Sequence, residues 1–202
     1  MGFRALRVMN EDRIAPGKGF GPHAHRDMEI LTYVLEGRLL HRDSMGEEHV
    51  LGPNEIQMMS VGSGVVHSEF NASETEPVHL IQIWILPEAE DLEPSYQQVA
   101  FTPEEKRGRL RLLAAPGTNG EKPMTVIRQD ARVYAGELAA NQTVTHDIRS
   151  DRYAWVQVVK GRISLNEHML SEGDAAAVSA ESQLTFTGIQ PDGGEVLLFD
   201  LR

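Results

Sequence analysis

Short apolar segments separated by turn residues recur along the chain roughly every 8–12 residues, a spacing typical of β-sandwiches and β-barrels. The clearest segment is VHLIQIWIL at residues 78–86, which ends at Pro87. Three others, at residues 30–36, 56–61 and 65–70, are also rich in aliphatic and β-branched side chains and are bounded by Gly, Pro or Asn. No long helical periodicity interrupts them. The pattern predicts an all-β fold.

The rest of the first half is predicted as further strands at residues 3–9 and 39–42 and a turn-rich segment from Asn10 to Pro22. The acidic, proline-bearing stretch from Pro87 to Pro103 is typical of an interdomain linker. Thr102 followed by Pro103 predicts the start of one short helical turn that ends by Gly108.

The second half repeats the first imperfectly. VLEGR (34–38) corresponds to VVKGR (158–162), and LGPNEI (51–56) corresponds to SEGDAA (171–176). An internal repeat of this length indicates two copies of one barrel. We therefore expect a first domain at residues 1–100 and a second at residues 101–202. Strands of the second copy are predicted at residues 110–114, 124–128, 131–138, 154–161, 162–165, 174–179, 183–188 and 195–201.

Charge is concentrated in the first half. The 202-residue chain has a net charge of −11, and residues 1–100 contain 16 of its 30 acidic but only 7 of its 19 basic side chains. This balance argues against nucleic acid or an anionic membrane as a partner, while it allows a protein partner. No apolar run is long enough for a membrane helix, and no secretory signal is evident, so a cytoplasmic protein is expected. The absence of cysteine excludes disulfides and thiolate metal sites.

Two short motifs carry the candidate chemistry. His23 and His25 form an H-x-H pair, and His67 and Glu69 form an H-x-E pair. Side chains at i and i+2 of a strand point to the same face, so each pair can point one way together. If the two strands are neighbours, three imidazoles and one carboxylate converge. Such ligands suit Fe, Zn, Ni, Co, Mn or Cu(II).

Other polar residues are interpreted more plainly. Glu29 is either a partner of a ligand imidazole or a solvated or strand-pairing residue. At the positions that correspond to the four ligands, the second copy has Asp147, Arg149, Phe186 and Gly188, so it has lost the set. His41 and His49 are taken as structural, His79 as a packed barrel residue, Met58, Met59, Trp84 and Phe70 as core, and His146 and His168 as surface residues.

These motifs resemble the cupin superfamily and, more narrowly, the pirins. G-F-G-x-H-x-H (19–25), T-Y-V-L-E-G (32–37), H-x-D-S-x-G (41–46) and V-G-S-G-V-V-H-S-E (61–69) match the pirin pattern. Glu29 lies one residue nearer the histidines than the usual cupin carboxylate, which is the pirin arrangement. Relatives extend by a strand or two before the position of Met1, so an open edge is expected in the first barrel.

The resemblance implies a bicupin, two antiparallel jelly-roll β-barrels packed face to face, with one divalent metal on His23, His25, His67 and Glu69. Fe(II) is the first candidate, and Ni, Co, Mn, Cu and Zn also suit the ligands. Bacterial pirins are linked to quercetin 2,3-dioxygenase activity, which opens the flavonol heterocycle with O2 and releases carbon monoxide. A small polyphenol substrate would then lose its proton to Glu69 as the catalytic base.

Animal pirin is instead linked to iron-dependent binding of transcription factors, so a metal-responsive regulatory protein without turnover is the alternative. A sugar isomerase of the cupin type is a weaker third hypothesis. It lacks support because no cluster of Lys and Arg surrounds the motifs.

Overall fold

The structure is a computed structural model that describes residues 2–117 and 123–202. It is nearly all β, as the hydrophobic pattern predicts. The chain divides into two compact units, one made of Met1–Phe101 and Met124–Gln129 and the other of Thr102–Pro123 and Asp130–Arg202. Among the described residues, no helix has the length and apolar character needed to cross a membrane.

The first unit contains two sheets. Its strands are β1 (Leu6–Ile14), β2 (Gly19–His25), β3 (Glu29–Glu36), β4 (Leu39–Asp43), β5 (Glu48–Leu51), β6 (Glu55–Ser60), β7 (Val65–Asn71), β8 (Val78–Ile85) and β9 (Ser95–Ala100). One sheet has the order β1-β8-β3-β6-β9 and the other the order β2-β7-β4-β5, and neighbouring strands are antiparallel.

The interior of this unit contains two apolar clusters and a row of buried polar side chains. One apolar cluster contains Ile14, Val34, Leu39, Leu51, Val78 and Leu80, and another contains Ile30, Met59, Val61 and Val65. Between the apolar positions of β3 and β8 lie Thr32 and Gln82, which are paired with each other, and Thr32 is also paired with Gln57 of β6. These three side chains are buried. The five-stranded sheet therefore presents a row of amide and hydroxyl groups inward, flanked by apolar side chains.

Two predictions for the first half are wrong. The turn-rich segment at residues 10–22 is largely strand, because β1 pairs with β8 as far as Ile14 and β2 begins at Gly19. The predicted linker contains β9, which pairs with β6. The hydrophobic pattern does not predict these strands because many of their side chains are polar. Tyr96 of β9, for example, donates to Gln98 Oε1 at 2.7 Å, so the strand meets a polar interior rather than an apolar core.

The second unit begins with the short helical turn. A 3-10 helix spans Pro103–Glu105, and Glu105 accepts a hydrogen bond from the Thr102 backbone N–H at 2.8 Å, as expected for a capped start. The later strands are β10 (Leu110–Ala115), β11 (Thr125–Val126, within the first unit), β12 (Ala131–Leu138), β13 (Thr143–Asp147), β14 (Tyr153–Leu165), β15 (His168–Ser171), β16 (Ala175–Val178), β17 (Gln183–Gly188) and β18 (Gly194–Leu201).

The strand order of the second unit is β10-β12-β18-β14-β17-β13, with β15 and β16 also paired to β14. β14 is one continuous strand where two were predicted, and the short polar strands β13 and β15 were missed. Val156, Val158, Leu184 and Phe186 belong to an apolar core cluster. An apolar side chain such as Phe186 cannot ligate a metal, in accord with the loss of the ligand set in the second copy.

The turn at Gly62 provides a test of the first unit. Its φ is +39°, and a Cβ there would lie 1.8 Å from the Leu92 carbonyl oxygen. We expect Gly62→Ala to lower the free energy of unfolding by more than about 3 kcal/mol, since backbone strain and a clash act together. Gly46→Ala is the control, because Gly46 has φ +94° but no atom near its Cβ position. Equal losses for the two variants in denaturant melts would contradict this account.

Candidate metal centre

The three histidines of the two motifs meet inside the first unit. β2 pairs with β7 so that His23 lies opposite His67, and His25 follows two residues later on the same face. The ring centroids of His23 and His67 are 4.5 Å apart, those of His25 and His67 are 4.9 Å apart, and those of His23 and His25 are 4.8 Å apart. One ring nitrogen from each lies within 4.8 Å of the others.

The ring nitrogens of this cluster have few hydrogen-bond partners. His23 Nδ1 lies 2.9 Å from the Gly21 carbonyl oxygen, which only accepts, so Nδ1 carries the proton and Nε2 keeps its lone pair. His25 Nε2 and both ring nitrogens of His67 are buried without a partner among the described residues. Buried polar atoms are normally paired, so unpaired nitrogens that face one another indicate a position for a ligand.

Glu69 lies on the other side of His67. Its side chain is buried, and its Oε2 accepts a hydrogen bond from Gln82 Nε2 at 2.8 Å. Gln82 in turn accepts from Trp84 Nε1 at 3.1 Å, which fixes the orientation of the amide. Glu69 Oε1 has no partner among the described residues. Glu69 has a ligand atom within 4.8 Å of His67 and of a further histidine, His41.

Burial sets the ionisation of these groups. It lowers the pKa of His67 to about 3, with the nearby His23, His25 and His41 adding to the effect, and it also lowers the pKa of His25. Burial raises the pKa of Glu69 to about 7, which the hydrogen bond from Gln82 only partly offsets. At neutral pH His25 and His67 are therefore neutral, the form that ligates metals, while Glu69 is partly protonated.

His41 is the member of the site that the sequence interpretation missed. It is fully buried, lies opposite Glu69 on the β4–β7 ladder, and its ring centroid is 5.3 Å from that of His67. Its Nε2 is 2.9 Å from Asp43 Oδ2, and Asp43 Oδ1 accepts from the backbone N–H of Met45 at 2.8 Å. The signal was present as the H-x-D at residues 41–43, which has the same i, i+2 spacing as the other two motifs.

Glu29 has a purely structural place. It is buried, accepts from Ser60 Oγ at 2.8 Å and accepts from the Arg128 backbone N–H at 3.0 Å. It thus bridges β3 to β6 and to the segment at residues 124–129. Of the interpretations offered for it, the strand-pairing role is confirmed, while the imidazole partner and the solvated residue are wrong.

The predictions for the other histidines, methionines and Trp84 are confirmed only in part. Met58 and Met59 are buried core residues, His79 is buried with Nε2 2.8 Å from Glu11 Oε1, and His168 is exposed. His49 is half-exposed beside Glu47. Trp84 is only half-buried and meets the His25 ring edge-on at 4.8 Å, so it belongs to the wall of the site. His146 is mostly buried rather than on the surface, with Nε2 3.0 Å from Asp200 Oδ2.

Substitution of Gln82 tests the hydrogen bond that orients the carboxylate of Glu69. We expect Gln82→Leu to lower the affinity for a divalent transition ion by about 10–100-fold, because the carboxylate of Glu69 loses the group that orients it. Isothermal titration of the metal-free variant with Ni(II) measures this. Gln98→Leu is the matched control, since Gln98 bonds to Tyr96 and to the Val50 carbonyl instead. Unchanged affinity in the Gln82 variant would contradict the role given to it.

The donor set fits a divalent transition metal. His23, His25 and His67 offer ring nitrogens, and Glu69 offers an unpaired carboxylate oxygen next to His67. Imidazole with carboxylate suits Fe, Ni, Co, Mn, Cu(II) and Zn and does not select among them. An all-β chain of two related units, with such a centre inside the first unit, belongs to the bicupin class.

Comparison with known proteins identifies the family. The Pirin family model matches residues 1–85, and a model described as the quercetinase C-terminal cupin domain matches residues 112–201. The chain is 43% identical over its whole length to a quercetin 2,3-dioxygenase of Escherichia coli K12, covering 84% of that protein. It is 36% identical over 99% of its length to a pirin-like protein of Caulobacter vibrioides, covering 84% of it. This chain belongs to the pirin family.

Solved structures agree with this assignment. The chain matches the crystal structure of YhhW from Escherichia coli with a TM-score of 0.92 at 42% identity, covering all of this chain and 83% of that one. It matches the bacterial pirin YhhW in complex with nickel(II) with a TM-score of 0.89 at 42% identity, covering 84% of that chain.

Proposed function

We propose that this protein is a metal-dependent dioxygenase of the quercetin 2,3-dioxygenase type, acting on flavonol-like substrates with O2. The observation that carries the proposal is the cluster of inward-facing, unpaired imidazole nitrogens beside a buried, unpaired carboxylate oxygen. The full-length relative named quercetin 2,3-dioxygenase supports the reaction class.

The metal would be held by His23, His25, His67 and Glu69. Glu69 would offer Oε1, which has no partner among the described residues, while Gln82 keeps its hydrogen bond to Oε2. The nickel(II) complex of the related pirin supports a divalent ion here, with Fe(II) as our first candidate. When bound, such an ion supplies Lewis-acid and redox chemistry toward the substrate and O2.

Glu69 would act as the base. A proton at the flavonol 3-hydroxyl would pass to the Glu69 carboxylate, of which only Oε2 has a hydrogen-bond partner among the described residues. A base works best when its pKa lies near the working pH, and burial brings the pKa of Glu69 to about 7. The Gln82 amide would hold Oε2 during this transfer.

Apolar side chains adjoin the imidazoles. Ile30, Met59 and Val65 form a buried cluster, and Trp84 packs against it while its ring meets His25. These groups keep water away from one side of the site, which strengthens the electrostatic interactions inside it.

Oxygen uptake tests the proposal. Protein reconstituted separately with Fe(II), Ni(II), Co(II), Mn(II) or Cu(II) is expected to consume O2 and release carbon monoxide when quercetin is added. His67→Ala should show neither, and His49→Ala should behave like the unchanged protein. Full metal loading without O2 uptake on any flavonol would contradict the proposed activity.

The same site serves the alternative, a metal-responsive binding protein without turnover. The pirin-like protein of Caulobacter vibrioides, which is named without an activity, keeps this alternative in view. It would be supported if the protein bound a protein partner only in one metal state and consumed no O2. The acidic first half favours a basic partner in that case.

A further inference from the structure

His67 has two ring nitrogens, and a single bound ion would use only one of them. Both of its ring nitrogens are buried, and neither has a hydrogen-bond partner among the described residues. A histidine that binds one metal normally donates its other ring N–H to a carboxylate, a carbonyl or water. Here the second nitrogen of His67 has no such acceptor among the described residues, so it can bind another cation once its proton is lost.

A second set of unpaired donors lies around His67. His41 Nδ1 and Glu69 Oε1 are also buried without a partner among the residues the structure describes. His41, His67 and Glu69 each place a ligand atom within 4.8 Å of the others, and their exposed fractions are 0%, 1% and 3%. Three unpaired donors in so small a buried volume are costly unless something binds them.

We infer that His41, His67 and Glu69 form a second cation position, and that His67 bridges it to the three-imidazole position as an imidazolate, its remaining ring proton being released to solvent when the second ion binds. The inference rests on the metal site proposed above but needs no turnover. Two nitrogens and one carboxylate oxygen suit a divalent transition ion, and Cu(II) is the probe because it binds such ligands tightly and has an electron paramagnetic resonance signal. Glu69 can serve both ions because a carboxylate has two oxygens.

A carboxylate that contacts His41 and negative charge near Glu69 support this position. Asp43 is buried with His41, and its Oδ2 is 2.9 Å from His41 Nε2. This contact fixes the proton on Nε2 and leaves Nδ1 as a lone-pair donor, the usual carboxylate–histidine–metal arrangement. Asp12 lies close enough for its charge to act on Glu69. Asp43 and Glu69 thus place two carboxylates at the pair of positions, and Asp12 adds negative charge from farther away, which partly offsets the charge of two divalent ions.

Copper(II) titration tests the bridge. Metal-free protein is titrated with Cu(II), bound copper is counted after desalting, and the electron paramagnetic resonance signal is integrated at each step. We expect two bound ions per chain, with a signal that rises over the first equivalent and falls below that value over the second, because two Cu(II) ions bridged by one imidazolate couple magnetically. One bound ion, or a signal that doubles, would overturn the inference.

Two variants locate the second position. His41→Ala should bind one copper with an uncoupled signal, and His49→Ala should bind two with coupling retained. His49 is the matched control because it lies opposite His41 on the β4–β5 ladder and also pairs with a carboxylate, Glu47, but is exposed. Two coupled ions in the His41 variant would overturn the assignment. Because the readout is spectroscopic, failure of the dioxygenase proposal leaves this test intact.

Discussion

Replacement of His67 by alanine is expected to lower the affinity for a divalent transition ion by more than about 100-fold, beyond the loss typical of an outer-shell residue. His67 is the imidazole common to both clusters of candidate ligands, so its loss breaks both three-residue clusters. Oxygen uptake with quercetin should disappear with the metal. Titration calorimetry with Ni(II) and an oxygen electrode measure the two losses.

The control for this variant is His79→Ala. His79 is also a buried histidine paired with a carboxylate, but its partner is Glu11 and it lies on the strand face away from the site. It should lose some stability and keep its metal affinity. A His67 variant that binds Ni(II) as tightly as the His79 variant would remove the basis for the proposed centre.

Replacement of Glu69 by glutamine should lower the rate of quercetin oxidation by about 10²–10⁴-fold, the range for loss of a general base. It should also change how the metal-free protein responds to pH. The pKa of Glu69 is raised from 4.5 to about 7, so the folded state holds this proton more tightly than the unfolded state. Its contribution to stability is fully present below about pH 4.5 and is lost as pH rises through 7.

The difference in unfolding free energy between the Glu69→Gln variant and the unchanged protein should therefore grow in favour of the variant as pH rises, by roughly 3 kcal/mol in total. Taking the difference removes the opposite effect of His67, whose pKa is lowered to about 3 and whose contribution is lost as pH falls from 6.5. Urea melts across this range measure it. A difference that does not vary with pH would show that Glu69 is not a buried, proton-binding carboxyl.

Metal binding should depend on pH through the same carboxyl. Below pH 7 the ion must displace a proton from Glu69, so the affinity for Ni(II) should fall by up to about tenfold for each pH unit. The Glu69→Gln variant should bind more weakly with a flatter dependence. Parallel dependences in the two proteins would assign the displaced proton to another group.

The sequence anticipated the ligand pairs because their signal is local. The H-x-H at residues 23–25 and the H-x-E at residues 67–69 each need only the alternation of a strand to point together. Their convergence depends on the pairing of β2 with β7, which places His23 opposite His67. That pairing joins positions 44 residues apart. No local pattern predicts such a pairing, so from the sequence alone it is an assumption, which the family resemblance supports.

The missed features share a physical cause. Hydrophobic patterning assumes that an inward side chain is apolar, but the interior of the first unit contains Gln57, Gln82 and His41. The hydrophobic pattern therefore predicts no strand where the inward residues are Tyr96 and Gln98, and β9 falls within the predicted linker. His41 was assigned a structural role for a related reason, because only the β4–β7 ladder places it opposite Glu69.

The most direct test of the metal centre is a crystal structure of this protein loaded with one molar equivalent of Ni(II). We expect one ion that contacts ring nitrogens of His23, His25 and His67 together with a carboxylate oxygen of Glu69. An ion bound elsewhere, or an ion on the histidines with Glu69 not ligated, would contradict this expectation.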